Sequence, residues 1–136
     1  MTLMKTILFS LFVASFSTIA VAETSPTSVQ GATTANAEQA KKMFDDGALF
    51  VDVRKQTDWD AGRIPDALHL DIKSAFNKDA LLEEASLDDN IVFYCNGHSC
   101  LRSSAASVLA VSWGFKNVYY FRDGIPAWKK AGYAVE

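Results

Sequence analysis

The chain has 136 residues, a formal net charge of −3 and 49% hydrophobic residues, which fits a single domain with its own core. Its Lys and Arg residues are scattered along the sequence and form no cluster that would bind a phosphate backbone. This charge pattern argues against nucleic acid as a partner.

The first residues have the pattern of an export signal. Lys5 gives a positive start, residues 7–13 form an almost unbroken apolar run, and Ala20-Val21-Ala22 has the small residues of a cleavage site. The alternative is an uncleaved membrane anchor. Such an anchor would need ~20 apolar residues, and this run is shorter. We therefore expect a signal peptide over residues 1–22, cut after Ala22. The mature protein is expected to be periplasmic or secreted, with no stable membrane association.

The segment after the signal differs in composition from the rest of the chain. Residues 23–35 are mostly Thr, Ser, Ala, Gly and Pro, so they predict a flexible leader. A structural pattern begins at Asn36, which with Gln39 forms a capping-box pattern for a helix that stops at Gly47. The folded domain is therefore expected over residues 36–136.

Strands and helices then alternate along the chain. The predicted strands are apolar runs over residues 49–53, 68–70, 91–94 and 118–121. The predicted helices cover residues 79–85, 103–113 and 126–132, and the middle one has Ala105, Val108 and Leu109 on its apolar side. This order predicts an α/β fold with a mostly parallel sheet and helices on both faces. In such sheets ligands bind at the carboxyl ends of strands.

The segment from Cys95 to Ser103 carries the chemistry. It begins where an apolar strand stops and ends where a helix begins, so backbone N–H groups and the helix dipole can converge on one point. A thiol in that position has a stabilised thiolate and is nucleophilic at neutral pH. Gly97 gives the loop the conformational freedom for such a curl. The alternative is an ordinary buried cysteine.

Several motifs, taken in order, resemble those of the rhodanese family of sulfurtransferases. They are Val51-Asp52-Val53-Arg54, Trp59 with residues 62–67, Tyr94-Cys95, Gly114-Phe115 with residues 117–119, and residues 122–128. The resemblance covers about residues 36–135 and implies a rhodanese-like fold. It also implies that Cys95 takes sulfur from a small anionic donor such as thiosulfate, holds it as a persulfide, and passes it to cyanide or a thiol. No cofactor and no metal are implied.

The resemblance further implies a substrate-binding loop whose N–H groups hold the anionic oxygens of the donor and then the persulfide. Its residues are Asn96, Gly97, His98, Ser99 and Cys100, with Arg102 just beyond them. Many members of the family carry a basic residue where this chain has Cys100. In the segment over residues 62–67, this chain has Arg63 where the family usually has His. Arg102 either reaches the mouth of the site or points to solvent, and His98 either donates to the substrate or lies exposed.

Cys100 has three open roles. It resolves the Cys95 persulfide by forming a disulfide and releasing sulfide, it protects Cys95 from overoxidation, or it packs as a small side chain under the loop. Asp52 and Arg54 are expected to support the site through hydrogen bonds or an ion pair. A structural role is expected for His69, Arg122 and Trp128.

Three alternatives come from other classes of protein. A phosphatase of related fold uses Cys-x5-Arg, but the spacing from Cys95 to Arg102 is one residue longer. A zinc site would use Cys95, His98 and Cys100, but it lacks a fourth ligand nearby. A periplasmic thiol redox or sulfur-carrier protein using Cys95 and Cys100 stays as the alternative function.

Overall fold

The computed structural model describes Ser17 and residues 24–136. The predicted signal peptide over residues 1–22 and its cleavage site after Ala22 lie outside this range, apart from Ser17, and stay predictions. No helix within the described range is long and apolar enough to cross a bilayer.

Five strands and five helices alternate within residues 24–136. The strands are β1 (Thr33–Thr34), β2 (Leu49–Asp52), β3 (Leu68–His69), β4 (Asn90–Tyr94) and β5 (Asn117–Phe121). The helices are α1 (Ala37–Asp45), α2 (Gln56–Ala61), α3 (Lys78–Glu84), α4 (Arg102–Ser112) and α5 (Gly124–Lys130). All strand pairs are parallel and the order across the sheet is β1-β5-β4-β2-β3, which confirms the predicted α/β fold.

Helix α1 begins at the capping box that the sequence predicts. The amide of Gln39 donates to Oδ1 of Asn36 at 2.8 Å, and the amide of Asn36 donates to Oε1 of Gln39 at 2.9 Å. These two bonds satisfy N–H groups that have no partner inside the helix. Gly47, with a φ of 89°, follows the last turn in the left-handed conformation that ends many helices.

Strand β4 lies in the middle of the sheet and is buried on both faces. Ile91 and Phe93 belong to a core that α3 and α4 complete, whereas Val92 and Tyr94 belong to a second core with α1 and α5. All four of these residues are 0% exposed. Side chains alternate along a strand, so Cys95 falls on the same face as Ile91 and Phe93, towards α4.

Helix α4 packs on the sheet by a different face from the predicted one. The expected apolar side is exposed, since Val108 and Leu109 are 54% and 39% exposed and Ala105 also faces solvent. The buried side consists of small residues: Ser103, Ser104, Ala106, Ser107 and Ala110. Small side chains let the helix lie close to the strands, and the Ser107 hydroxyl is satisfied within the helix by the carbonyl of Ser103 at 2.8 Å.

Residues 24–35 pack against the domain, and this corrects the flexible leader expected over residues 23–35. Strand β1 extends the sheet next to β5, with Thr33 opposite Tyr119. Val29 and Ala35 are 6% and 3% exposed. The segment is held mainly through hydrogen bonds of its backbone. Its short side chains therefore form no pattern in the sequence that would predict this packing.

Two further differences concern short elements. Helix α2 was not predicted, because its six residues include none that is buried and so carry no apolar pattern. Helix α5 begins at Gly124, two residues before the expected first position at Pro126. Proline is tolerated there because N–H groups in the first turn have no partner within the helix.

Candidate active site

The carboxyl ends of the central strands meet at one edge of the sheet, where β2 ends at Asp52, β4 at Tyr94 and β5 at Phe121. Cys95 follows β4 directly, and the loop after it leads into α4 at Arg102. This is the strand–loop–helix arrangement that the sequence predicts for Cys95.

Cys95 and Cys100 are joined by a disulfide in this structure, with their Cα atoms 6.4 Å apart. The sequence left open whether the two thiols pair, and the structure shows the oxidised form. In this form Cys95 is 1% exposed and carries no thiolate. A two-electron reduction must therefore come before any attack by Cys95 on a sulfur donor.

The loop presents a run of amide groups that have no acceptor elsewhere in residues 24–136. They belong to Asn96, Gly97, His98 and Ser99. The fifth expected amide, that of Cys100, instead donates to the carbonyl of Gly97 at 3.0 Å. Gly97 has a φ of 110°, which requires glycine. Successive free amides in a curled loop form a concavity suited to an anion.

Asp52 and Arg54 form a buried ion pair beside the loop. Nη2 of Arg54 lies 2.6 Å from Oδ2 of Asp52, and the two side chains are 4% and 0% exposed. Nη1 of Arg54 also donates to Oδ1 of Asn96 at 3.2 Å. Burial acts to lower the pKa of Arg54, but the hydrogen bonds and charge of Asp52 outweigh it and raise the pKa, so Arg54 stays charged. The pair supports the residue that follows Cys95.

Tyr94, the last residue of β4, is held in place by the hydrogen bonds of its hydroxyl. Tyr94 donates to Oδ2 of Asp52 at 2.8 Å and accepts from the amide of Ile64 at 3.1 Å. Burial, together with the negative charge of Asp52, raises the pKa of Tyr94, so the phenol stays protonated. The chain is thereby held immediately before Cys95.

His98 is exposed, one of the two outcomes left open by the sequence. Its ring is hydrogen-bonded through Nε2 to a carboxylate oxygen of Asp123, and its side chain is 53% exposed. Asp123 lies just after β5 and was not singled out from the sequence, although it stands in one of the motifs that carry the family resemblance. Within the described chain, no cluster of three or more His, Cys, Asp or Glu is placed to hold a metal ion.

Arg102 lies on the α4 side of the site. Its Nη1 donates to Oδ1 of Asp71 at 2.8 Å and to the carbonyl of Val53 at 3.1 Å, and its side chain is 20% exposed. The amide of Lys73 and then the guanidinium of Arg102 lower the pKa of Asp71 against the opposing effect of burial. The charge of Arg102 is thus already paired, and the predicted substrate contact would have to compete with Asp71.

The first residue of α5, Gly124, touches the loop that begins at Cys95. A Cβ atom added at Gly124 would lie 2.3 Å from the carbonyl oxygen of Cys95 and 2.9 Å from the amide nitrogen of Gly97. The amide of Ile125 donates to the same Cys95 carbonyl at 3.0 Å. The start of α5 therefore fixes the backbone of Cys95, a contact that no pattern in the sequence predicts.

Cavities flank the loop on the α5 side. One of about 310 Å³ is lined by Arg54, Asn96 and Lys129 among others, and one of about 370 Å³ by residues that include His98 and Lys130. Lys129 and Lys130 therefore place positive charge beside the loop, which no motif in the sequence predicts. A larger cavity of about 630 Å³ lies at the amino ends of β2 and β4, away from Cys95.

His69, Trp128 and Arg122 have the structural roles expected of them. Nε2 of His69 is hydrogen-bonded to the carbonyl of Arg54 at 2.8 Å, and the ring stacks on Trp59 with centroids 4.7 Å apart. Trp128 is 1% exposed in the core beneath α5. Arg122 contacts the backbone of the N-terminal segment.

Comparison with known proteins agrees with this arrangement. The model of the rhodanese-like domain family matches residues 36–131. Over 93 residues the chain is 36% identical to the thiosulfate sulfurtransferase GlpE of Pseudomonas syringae pv. syringae, covering 68% of this chain and 82% of that protein.

Two further proteins are similar to this chain over the same domain. Over 95 residues the chain is 36% identical to the tRNA uridine(34) hydroxylase of Pectobacterium carotovorum subsp. carotovorum, covering 65% of this chain and 26% of that protein. The solution structure of a rhodanese-like domain from Anabaena superposes with a TM-score of 0.65 and 25% identity, covering 76% of this chain and 77% of the other.

Proposed function

Because the chain belongs to the rhodanese-like family, we propose that it transfers sulfane sulfur through a persulfide on Cys95. Relatives named as thiosulfate sulfurtransferases support sulfurtransferase activity, and such activity implies a sulfur donor and an acceptor as substrates. The observation that carries the proposal is the position of Cys95, between the central strand and a loop with four amides that have no acceptor in residues 24–136.

The first half-reaction loads sulfur from a small anionic donor such as thiosulfate. The thiolate of reduced Cys95 attacks the outer sulfur, the sulfur–sulfur bond of thiosulfate breaks, and sulfite leaves with the bonding electron pair. The negative charge then rests on the outer sulfur of the persulfide. Free amides from Asn96 to Ser99 stabilise that charge in the way an oxyanion hole does.

The second half-reaction returns the enzyme to its starting state. Cyanide or a thiolate attacks the outer sulfur of the persulfide, and the Cys95 thiolate is the leaving group. Thiocyanate or a new persulfide departs. No cofactor enters this cycle, because each step exchanges one sulfur between nucleophiles.

Intact-mass measurement on reduced protein tests the assignment. After thiosulfate treatment, wild type and Cys100→Ser should gain one sulfur atom, and cyanide should remove it as thiocyanate. Cys95→Ser should gain none and should lose turnover to the background rate. Full turnover in Cys95→Ser would reject Cys95 as the sulfur carrier.

The disulfide favours a second function, a thiol redox or sulfur-carrier role. In this route the Cys100 thiolate attacks Sγ of the Cys95 persulfide, the bond to the outer sulfur breaks, and hydrosulfide leaves. The resulting disulfide then takes two electrons from an external dithiol. Loaded wild type without reductant should release one equivalent of sulfide, and loaded Cys100→Ser should release none. Reduction of a partner disulfide without any sulfur loading would favour a purely redox role.

Export of the protein is also a proposal, supported by the apolar run near Lys5 and by Ala20-Val21-Ala22. An oxidising compartment such as the periplasm is where a disulfide between Cys95 and Cys100 persists. The mature protein recovered from cells of the source organism should begin at Glu23. Recovery of a chain that retains residues 1–22 would contradict the proposal.

A further inference from the structure

The N-terminal segment, residues 24–35, reaches the catalytic loop. The amide of Ser25 donates to the carbonyl of His98 at 2.7 Å, and Ser25 is 4% exposed. The family match begins at residue 36, so this contact comes from a part of the chain outside the match.

Contacts on both sides of Ser25 anchor the segment. Nη2 of Arg122 donates to the carbonyl of Ser25 at 2.9 Å, and the hydroxyl of Tyr120 donates to the carbonyl of Pro26 at 2.9 Å. Further along, a Cβ atom at Gly31 would lie 2.6 Å from Cγ1 of Val111, so the segment also packs closely on α4. Strand β1 completes the attachment. Ser25 is therefore held in place independently of its bond to the loop.

The bond from Ser25 determines the direction of a loop amide. In a trans peptide the carbonyl of one residue and the N–H of the next point in opposite directions. Since the His98 carbonyl is held towards Ser25, the N–H of Ser99 is held away from it. That N–H is one of the four loop amides without an acceptor in the described chain.

We propose that Ser25 is a positioning residue for the active site, whose backbone N–H fixes the His98–Ser99 peptide so that the loop stabilises the thiolate and persulfide of Cys95. The inference rests on the proposed function for the role of Cys95. The hydroxyl of Ser25 has no part in it, because Oγ is buried without a hydrogen-bond partner among the described residues. Preorganised amides act strongly only while their direction is fixed.

The test uses the alkylation rate of Cys95 by iodoacetamide as a function of pH. All variants carry Cys100→Ser, which leaves Cys95 as the single thiol, because the sequence contains 2 cysteines. Ser25→Pro removes the N–H, whereas the matched control Ser25→Ala keeps it. Ser25→Pro should move the midpoint upward by about one pH unit, which slows alkylation about tenfold below the midpoint. Ser25→Ala should follow the parent, and an unchanged midpoint in Ser25→Pro would overturn the inference.

Two more variants separate positioning from general loosening. Tyr120→Phe removes the contact with Pro26 but leaves the bond between Ser25 and His98, so its midpoint should match the parent. An equal shift in Tyr120→Phe would overturn the inference. If Ser25→Pro fails to fold, a chain that begins at Pro26 decides, because it lacks the Ser25 N–H altogether and should raise the midpoint in the same direction. No shift in that shortened chain would then overturn the inference.

Alkylation does not depend on sulfur transfer, so the two proposals can fail separately. An upward shift in Ser25→Pro with no sulfur loading of wild type would sink the proposed function alone. Normal sulfur loading of wild type with an unshifted Ser25→Pro would sink the positioning role alone.

Discussion

Among single residues, Gly124 is a position where an added side chain would collide with the loop after Cys95. Its φ of 65° already disfavours a side chain, and an added Cβ would press on the Cys95 carbonyl at 2.3 Å. Gly124→Ala should therefore displace the nucleophile and lower kcat/KM for sulfur transfer about 100-fold. Gly132→Ala is a matched control, since Gly132 also has a positive φ of 81° but no atom of the described residues lies within 4 Å of its added Cβ. Comparable activity in the two variants would contradict this account.

The hydroxyl of Tyr94 should contribute to stability through its two buried hydrogen bonds. Tyr94→Phe removes the acceptor of the Ile64 amide and a donor to Asp52, all of them buried. The expected loss is about 1–3 kcal/mol in the free energy of unfolding, because a buried N–H is left unpaired. Chemical denaturation measures it. Tyr119→Phe, on a neighbouring strand and without a side-chain hydrogen bond in the described structure, should change stability by less than about 0.5 kcal/mol.

At the scale of elements, the contact between Arg102 and Asp71 ties α4 to the segment after β3. The pKa of Asp71 in the folded protein lies below its ordinary value, so its contribution to stability is present above the ordinary pKa. That contribution is lost as pH falls through the folded-state pKa. Asp71→Asn should thus be less stable near neutral pH, by under about 1 kcal/mol for a partly exposed pair. Unfolding curves of the two proteins should converge in acid, and a difference that persists there would contradict the prediction.

The sequence predicts those elements whose signal is local. Strands β2, β4 and β5 are apolar because both faces of the sheet are covered. The start of α1 is predicted by its capping residues, Asn36 and Gln39. The buried face of α4 cannot be predicted from an apolar pattern. The helix lies close to the sheet, so its buried positions hold small residues rather than large apolar ones. The prediction of a flexible leader is wrong for residues 24–35, because a segment held by backbone pairing needs no apolar pattern in its sequence.

The same distinction holds for the active site. Cys95 is found from the strand–loop–helix order, which is local. The contacts of Ser25, Asp123 and Gly124 with the loop depend on β5 lying beside β4, and the disulfide depends on the curl of the loop. The three contacts join residues that are far apart in sequence, so no spacing rule reveals them, whereas the spacing of Cys95 and Cys100 left their pairing open.

At the scale of the whole molecule, the fold does not depend on the disulfide. The bond joins residues 5 positions apart, and so short a closure contributes at most about 2 kcal/mol. Two buried cores, one on each face of the sheet, consist mainly of apolar side chains other than the two cysteines, so we expect them to remain when the bond is reduced. Reduction should lower Tm by no more than about 15 °C, with a single transition in both forms by calorimetry. Global unfolding on reduction would contradict this expectation.

The short separation of Cys95 and Cys100 also bears on how the protein matures. A parallel sheet gathers strands that are distant along the chain and forms slowly, whereas the ends of a short peptide loop meet within microseconds. Since 2 cysteines allow one intramolecular pairing, oxidative folding has no scrambled isomers to sort and needs no disulfide isomerase. A newly made chain that oxidises early folds with Cys95 held in the disulfide. Under the proposed function, a reductant must then supply two electrons to free the Cys95 thiol before the first turnover.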